Sequence, residues 1–427
     1  MDARHIMNAN ELHRTEKILV DSGMARTFAE ARDLFATYGV VIELPDSDGR
    51  AEESNPMLQT ILNCAARTFA GNIAVRSPGA PSDALQPLLE PYVCTTAYDP
   101  AEMASCAARY NWPVISLSPD GQDAGVIHPW AEGWQFGLDR SRPSQAAHPT
   151  ALIAAGALAV AEAFALMRRD HPYAGRRSVT QTLQLNDAPF TPVPTEPAQP
   201  LPDLWLLGLG HLGQAYAWTL AQSSYETGTL HLQDDDVVEW SNVSTSVLVN
   251  ADDVGCQKTQ VVGDWLSGHG FSVLTHPDRF TGHQSVDQAE SMTALVGVDN
   301  PSARRGIEHV GFEFVIDGGL GAGVQDFQGI RIRTFPGPVQ ATEVWASPLQ
   351  VDLTTQQASA YQHLLAGGAE QCGVTTLATR AVGAPFVGCY AAAHAISLLE
   401  QRLGGAPAPY LVDTHLRSPE ILTRAFA

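Results

Sequence analysis

The chain has 427 residues, 44% of them hydrophobic, with 25 Lys plus Arg against 46 Asp plus Glu and a formal charge of −21. The length predicts two lobes with real cores. The acidic balance argues against nucleic acid or an anionic membrane surface as partner. Six cysteines, at 64, 94, 106, 256, 372 and 389, include no CxxC pair, so structural zinc is not expected and a reduced, cytoplasmic setting fits.

No basic and apolar leader opens the sequence, which speaks against a secretory signal. Residues 1–50 read as partly helical, with Leu12, Ala25 and Phe35 among the apolar positions. A helix is expected over 56–71 (PMLQTILNCAARTFAG), then strands at 72–75 (NIAV) and 113–118 (PVISLS). Residues 150–169 form a small-residue-rich helix whose apolar run, Ala151 to Met167, contains Glu162. That run is short for a bilayer and reads as a buried helix. Residues 1–186 thus read as an N-terminal α/β domain, degenerate because it has no glycine turn like the one met later.

Prolines 189, 192, 194, 197, 200 and 202 crowd the stretch 187–203. Each removes a backbone donor and fixes φ, so an extended connector is expected there. Beyond it, 204–427 alternates strand-like and helix-like segments. Strands are expected at 204–208, 229–234, 271–275, 293–298 and 312–317, and helices at 212–224, 255–267 and 300–309. This is the cadence of a doubly wound, mostly parallel sheet. A later strand is expected at 326–334 (DFQGIRIRT) and a long apolar helix at 385–402. The helices at 150–169 and 384–403 have similar composition, which fits either shared ancestry of the lobes or chance.

Gly208, Gly210 and Gly213 follow the first strand of this second lobe. Glycines there let backbone approach a phosphate while the next helix offers free N–H groups. Asp234 ends the next strand, where a carboxylate can accept ribose hydroxyls, and Asp236 could support a metal or the following loop. An ordinary solvated aspartate turn stays open. Lys258 could meet a phosphate or face solvent; Asn242 could do the same or cap its turn. Asp299 and Asn300 precede Pro301, so a helix cap is as natural for them as a ligand role.

The ordered elements GLGHLG (208–213), DDDVVEWSNV (234–243), DVGCQK (253–258) and DNPSAR (299–304) resemble those of the adenylating enzymes related to ThiF, MoeB and the ubiquitin-activating enzymes. The resemblance covers most of 204–403. It implies that ATP and Mg²⁺ are used to adenylate the C-terminus of a small ubiquitin-like β-grasp protein, with release of pyrophosphate. On that basis Gly208, Gly210 and Gly213 line the nucleotide, Asp234 holds the ribose, and Asn242 and Lys258 meet phosphates. Asp299 binds Mg²⁺, while Asn300 and Arg304 lie close to the nucleotide or anchor the helix that follows. One departure stands out: the family places arginine three residues after the asparagine, and here Thr245 is found. Arg14 is a candidate replacement, with a plain helix arginine as the alternative.

The resemblance further implies a second step, transfer of the activated tail to a thiol and then to a downstream conjugating enzyme. Cys372, in QCGVTTLATRAVG, is the candidate nucleophile, assisted by Arg380 or a helix N-terminus; an inert thiol is the other reading. Cys256 is expected to pack within a helix and Cys389 to lie in the core. A bacterial ubiquitin-like modification or antiviral defence system is the implied setting, with a homodimer or an internal pseudo-dimer as assembly. Three alternatives stand beside it: a catalytically weak nucleotide-fold partner, a sulfur-carrier or peptide adenylyltransferase, and an NAD-dependent oxidoreductase.

Overall fold

The computed structural model describes residues 13–45, 55–77, 86–89, 91–92, 99–118, 125–138, 146–169, 172, 174, 182–186, 196–197, 200–223, 225, 228–286, 293–346 and 357–427. Of the proline-rich connector at 187–203, residues 187–195 and 198–199 lie outside the described residues.

The first half runs α1 (Arg14–Asp21), α2 (Phe28–Phe35), β1 (Val40–Glu43), α3 (Pro56–Thr68), β2 (Ile73–Arg76), α4 (Gln86–Leu89), α5 (Pro100–Tyr110) and β3 (Val114–Ser116). It continues through β4 (Pro129–Glu132), β5 (Gln135–Leu138), α6 (Pro149–Arg168) and β6 (Leu183–Gln184). Strands β2, β1 and β3 form a parallel sheet in that order, and β4, β5 and β6 an antiparallel one. One local device starts α3, α5 and α6: Asn55, Asp99 and His148 each accept a first-turn N–H, and a proline occupies the first helical position. Proline suits that position because its missing N–H would have no helical partner.

The second half runs β7 (Leu204–Leu207), α7 (His211–Gln222), β8 (Thr229–Gln233), α8 (Trp240–Val243), α9 (Lys258–Gly268), β9 (Ser272–His276) and β10 (Thr293–Val296). Then come α10 (Pro301–Arg305), β11 (Phe314–Leu320), β12 (Gly329–Phe335), α11 (Ala341–Val344), α12 (Ser359–Ala366), α13 (Gln371–Thr379), α14 (Pro385–Leu403), β13 (Leu411–His415) and β14 (Thr423–Ala425). All eight strands join one sheet, in the order β14-β13-β12-β11-β10-β7-β8-β9.

The expectation of a mostly parallel sheet is corrected here. Strands β9, β8, β7, β10 and β11 pair in parallel, but β12, β13 and β14 are added antiparallel. For β12 the cause lies in its connection. A parallel return needs a dozen or more residues, and only the short link between Leu320 and Gly329 joins β11 to β12. The pattern of β12 agrees: Ile330 and Ile332 are buried while Arg331 is exposed, the alternation of a half-covered strand. The fold is therefore α/β with a mixed sheet.

Both faces of the parallel part are covered. Leu204, Leu206, Leu232, Leu295 and Ile316 belong to one large core. Their neighbours Trp205, Leu207, Val296 and Val315 point into a smaller cluster on the other face. The large core continues without a break into the first half, taking in Ile61, Ala154 and Phe164. At its centre α6 packs against both α3 and α14. Among the described residues α6 is the one helix long and apolar enough to cross a membrane, yet 78% of its apolar window is buried within the protein, as expected for a core helix.

Candidate functional site

A cavity of about 520 Å³ lies at the C-terminal ends of β9, β8, β7, β10 and β11, the edge at which open α/β sheets gather ligands. Gly208 and Gly210, Asp234 to Asp236, Lys258, Asp299, Asn300 and Arg304 all line it.

The three glycines do different things. Gly208 has φ +81°, a left-handed conformation that other residues avoid, and a Cβ there would come within 2.9 Å of the Val298 nitrogen. A Cβ on Gly213 would stand 1.9 Å from the Gly208 carbonyl oxygen, so that glycine lets α7 lie on the turn rather than touching the cavity. Around Gly210 a Cβ would meet nothing within 4 Å. The protein's own packing does not require glycine at that position, which lines the cavity as the N-cap of α7 with no side chain capping the helix. First-turn N–H groups there have no intrahelical partner.

Asp234 is 9% exposed. Its carboxylate accepts the Leu209 N–H at 2.6 Å and the Asp236 N–H at 2.8 Å. Burial holds its pKa above the usual carboxylate range, with Lys258 and the two N–H donors pulling the other way. A carboxylate has about four lone-pair sites, so capacity for ribose hydroxyls remains. Lys258 opens α9 and donates to Asp236 at 2.7 Å, with Asp234 3.9 Å away. At 7% exposure it does not face solvent. The side chains of Asp234, Asp235 and Asp236 bring oxygens within 4.8 Å of one another.

Asp299 lines the cavity, exposed, beyond the end of β10. A hard divalent cation held by one or two carboxylates and by substrate phosphates fits such a group. Asn300 caps α10 by accepting the Ser302 N–H at 2.9 Å. Arg304 is engaged by the fold: it donates to Val298 O at 2.7 Å and Gly318 O at 2.8 Å, and lies 3.4 Å from Asp317. Trp345 covers the Arg304 guanidinium at 4.6 Å and donates its indole N–H to Asp317 at 3.2 Å.

Two sequence candidates stand elsewhere. Asn242 accepts the Glu239 N–H at 2.8 Å in a capping box and is not among the cavity-lining residues. Cys372 is exposed at the second position of α13. The far end of that helix leads to Ala381 and Val382, which form part of the cavity wall. At 1.5 Å per residue the thiol stands roughly 12 Å along the helix from that wall. Arg380, expected beside the thiol, is at this other end, paired with Glu239 at 3.0 Å. Cys256 is exposed just before α9 rather than packed within it, whereas Cys389 is fully buried, 3.7 Å from Cys64.

Arg14 touches Ser244, the residue before Thr245. Its backbone N–H donates to Ser244 Oγ at 3.3 Å, and its guanidinium donates to the carbonyl of Ala381 in the cavity wall. Burial and neighbouring Arg380 lower its pKa to about 10.

Several cavity residues escaped the sequence reading: His211, Arg279, Gly318 to Ala322 and Trp345. The glycine-rich DGGLGAG after an apolar run was a legible signal for the stretch Gly318 to Ala322. Trp345 and Arg279 had none. His211 has its pKa pushed down to about 4 by burial, so it is neutral at physiological pH.

Family models describe both halves: a BilD N-terminal domain matches 47–183 and a BilD C-terminal domain matches 201–406. Among curated proteins the chain is similar to the bacterial E1-like protein BilD of Collimonas sp. (strain OK412), 36% identical over 93% of this chain and 89% of that protein. Among solved structures it is similar to E. coli MccB, with 16% identity, TM-score 0.33 and coverage of 50% of this chain and 58% of that one. PaaA gives 18% identity, TM-score 0.36 and coverage of 54% and 65%. The chain spans less than two thirds of the length of either solved chain.

Proposed function

The chain belongs to the BilD family of bacterial E1-like proteins, within the ThiF/MoeB/E1-like superfamily of ATP-dependent activating enzymes, and we propose that it adenylates the C-terminal carboxylate of a peptide or small protein. One observation carries this reading: the glycine turn, Lys258 and Asp299 face a single cavity although they come from the end of β7, the start of α9 and the end of β10. The carboxylate attacks the α-phosphate of ATP, an acyl–phosphate bond forms, and pyrophosphate leaves. The protein's part is positioning and fixed charge. Gly208 and Gly210 keep the floor open to phosphates, Asp234 orients the ribose, and Lys258 brings positive charge to the leaving group. Asp299 would hold Mg²⁺, which neutralises phosphate oxygens when bound.

A ubiquitin-like β-grasp protein is the finer proposal for the substrate, supported by the E1-like name of the relative. Transfer to Cys372 is a second proposal, supported by the exposure of that thiol. Because Cys372 stands at the end of α13 remote from the cavity, transfer requires that helix to move. The packing of α6 on α14 supports an internal pseudo-dimer.

ATP–pyrophosphate exchange with candidate carriers and with short peptides tests the first step. Exchange with a peptide but with no β-grasp protein would make the enzyme a peptide adenylyltransferase; exchange with neither would remove the reading. Nonreducing electrophoresis and intact mass then test the second step. A thiol-sensitive adduct absent in Cys372→Ala is expected, and an adduct that persists in that variant would rule out Cys372.

A further inference from the structure

Three cationic side chains line the cavity among the described residues: Lys258, Arg279 and Arg304. Two of them also engage protein groups. Lys258 is paired with Asp236, and Arg304 is divided between two carbonyls and Asp317. Arg279 is different. Among the described residues its guanidinium makes no hydrogen bond or ion pair, while its backbone carbonyl accepts from Gln284 at 2.8 Å.

The loop bearing Arg279 is nonetheless fixed. Phe280, next in the chain, is 5% exposed within the smaller core cluster. Thr281 donates its backbone N–H to Gln284 at 3.1 Å, and Gly282 sits so close to the Ala303 carbonyl that a Cβ would approach it to 2.4 Å. An anchored backbone thus presents a long, unpaired, exposed guanidinium to the cavity. It does so from the face of the sheet opposite Lys258, whose helix packs into the larger core through Val262 and Leu266. A ligand at the strand ends lies between the two cations.

Thr245 cannot supply charge there: it is neutral, 7% exposed and absent from the cavity lining. We propose that Arg279 is a polyphosphate-binding residue, donating guanidinium N–H groups to phosphate oxygens of the bound nucleotide from the face opposite Lys258. This rests on the reading of the cavity as an ATP site. In a chain of formal charge −21, with four aspartates lining the same cavity, the Arg279 guanidinium adds attraction to that of Lys258, part of whose charge is engaged by Asp236.

Calorimetric titration of the full chain with ATP, AMP and adenosine, each with Mg²⁺, tests the assignment. Arg279→Ala should weaken ATP about ten-fold or more, the effect of losing a charge-assisted contact, and leave adenosine unchanged. Arg279→Lys should recover part of the loss, since it keeps the charge without the fork. Arg279→Gln keeps the length and loses the charge, and should behave like the alanine variant. Unchanged ATP affinity in both neutral variants would overturn the proposal, as would an equal loss for adenosine, which would mean a base or ribose contact. Failure of the wild-type chain to bind ATP would instead sink the nucleotide reading itself, and this assignment with it.

Discussion

Asp234 accepts the backbone N–H of Leu209 at 2.6 Å, so the end of β8 clamps the glycine turn at the end of β7. One carboxylate therefore shapes the turn and keeps lone pairs that, on the proposed reading, meet a ribose. Asp234→Asn retains the shape but cannot accept from both Leu209 and Asp236 as a carboxylate does. Losing a hydrogen bond to a charged group costs about 1.5–3 kcal/mol. We expect the KM for ATP to rise more than ten-fold-scale stability effects would explain, because relief of the buried charge offsets part of the lost bonding. Steady-state kinetics beside urea unfolding separates the two.

Gly210 and Gly213 should behave oppositely. Gly213→Ala forces a Cβ against the Gly208 carbonyl and should destabilise by about 1–3 kcal/mol, the usual cost of overpacking. Gly210→Ala meets no protein atom and should leave the thermal midpoint unchanged while weakening nucleotide binding. Loss of stability in Gly210→Ala without loss of affinity would mean that this position faces no ligand.

Arg304 and Asp317 form a buried pair whose carboxylate is 1% exposed, and burial already holds the Asp317 pKa above the carboxylate range. Arg304→Met leaves that charge without its cation. Breaking one side of a buried pair costs about 3–5 kcal/mol, and urea unfolding should show a loss of that order. A loss below about 1 kcal/mol, typical of exposed pairs, would show that the pair is solvated.

His394, 2% exposed in α14, has its pKa lowered to about 3 by burial and Arg424. The unfolded chain binds this proton near pH 6.5, whereas the folded chain refuses it until about pH 3. The stability it contributes is therefore full above pH 6.5 and lost as pH falls toward 3. Carboxyls with raised pKa values, such as Asp21 and Asp317, act in the opposite sense, so the comparison must be with a variant. His394→Leu should lose less thermal stability than the wild type between pH 7 and 5. Parallel losses would mean that the ring is protonated within the fold.

Much of the second half was legible because its strands are short apolar runs bounded by turn residues. Leu204–Leu207 is buried at all four positions and ends in glycine, which leaves little choice but a central parallel strand. The cadence could not show where crossovers stop: the alternation in DFQGIRIRT marks a half-covered strand, but nothing local names the partner beside which β12 returns. Glycine and threonine dominate QCGVTTLATRAVG, which carries little helix signal, and helix α13 forms there with Val374, Leu377 and Ala378 buried. In the site, residues with a strand-end signature (Asp234, Asp299) were found, whereas Arg279 and Trp345 reach the cavity through tertiary folding alone.

Pyrophosphate exchange catalysed by the wild type, Lys258→Met and Asp299→Asn in the presence of Mg²⁺ and an accepted carboxylate substrate tests the central claim most directly. The account predicts exchange in the wild type and a fall of about 100-fold or more in each variant, the scale of removing a preorganised charge from a reacting centre. Exchange at the wild-type rate in both variants would contradict it, since the chemistry would then take place away from this cavity.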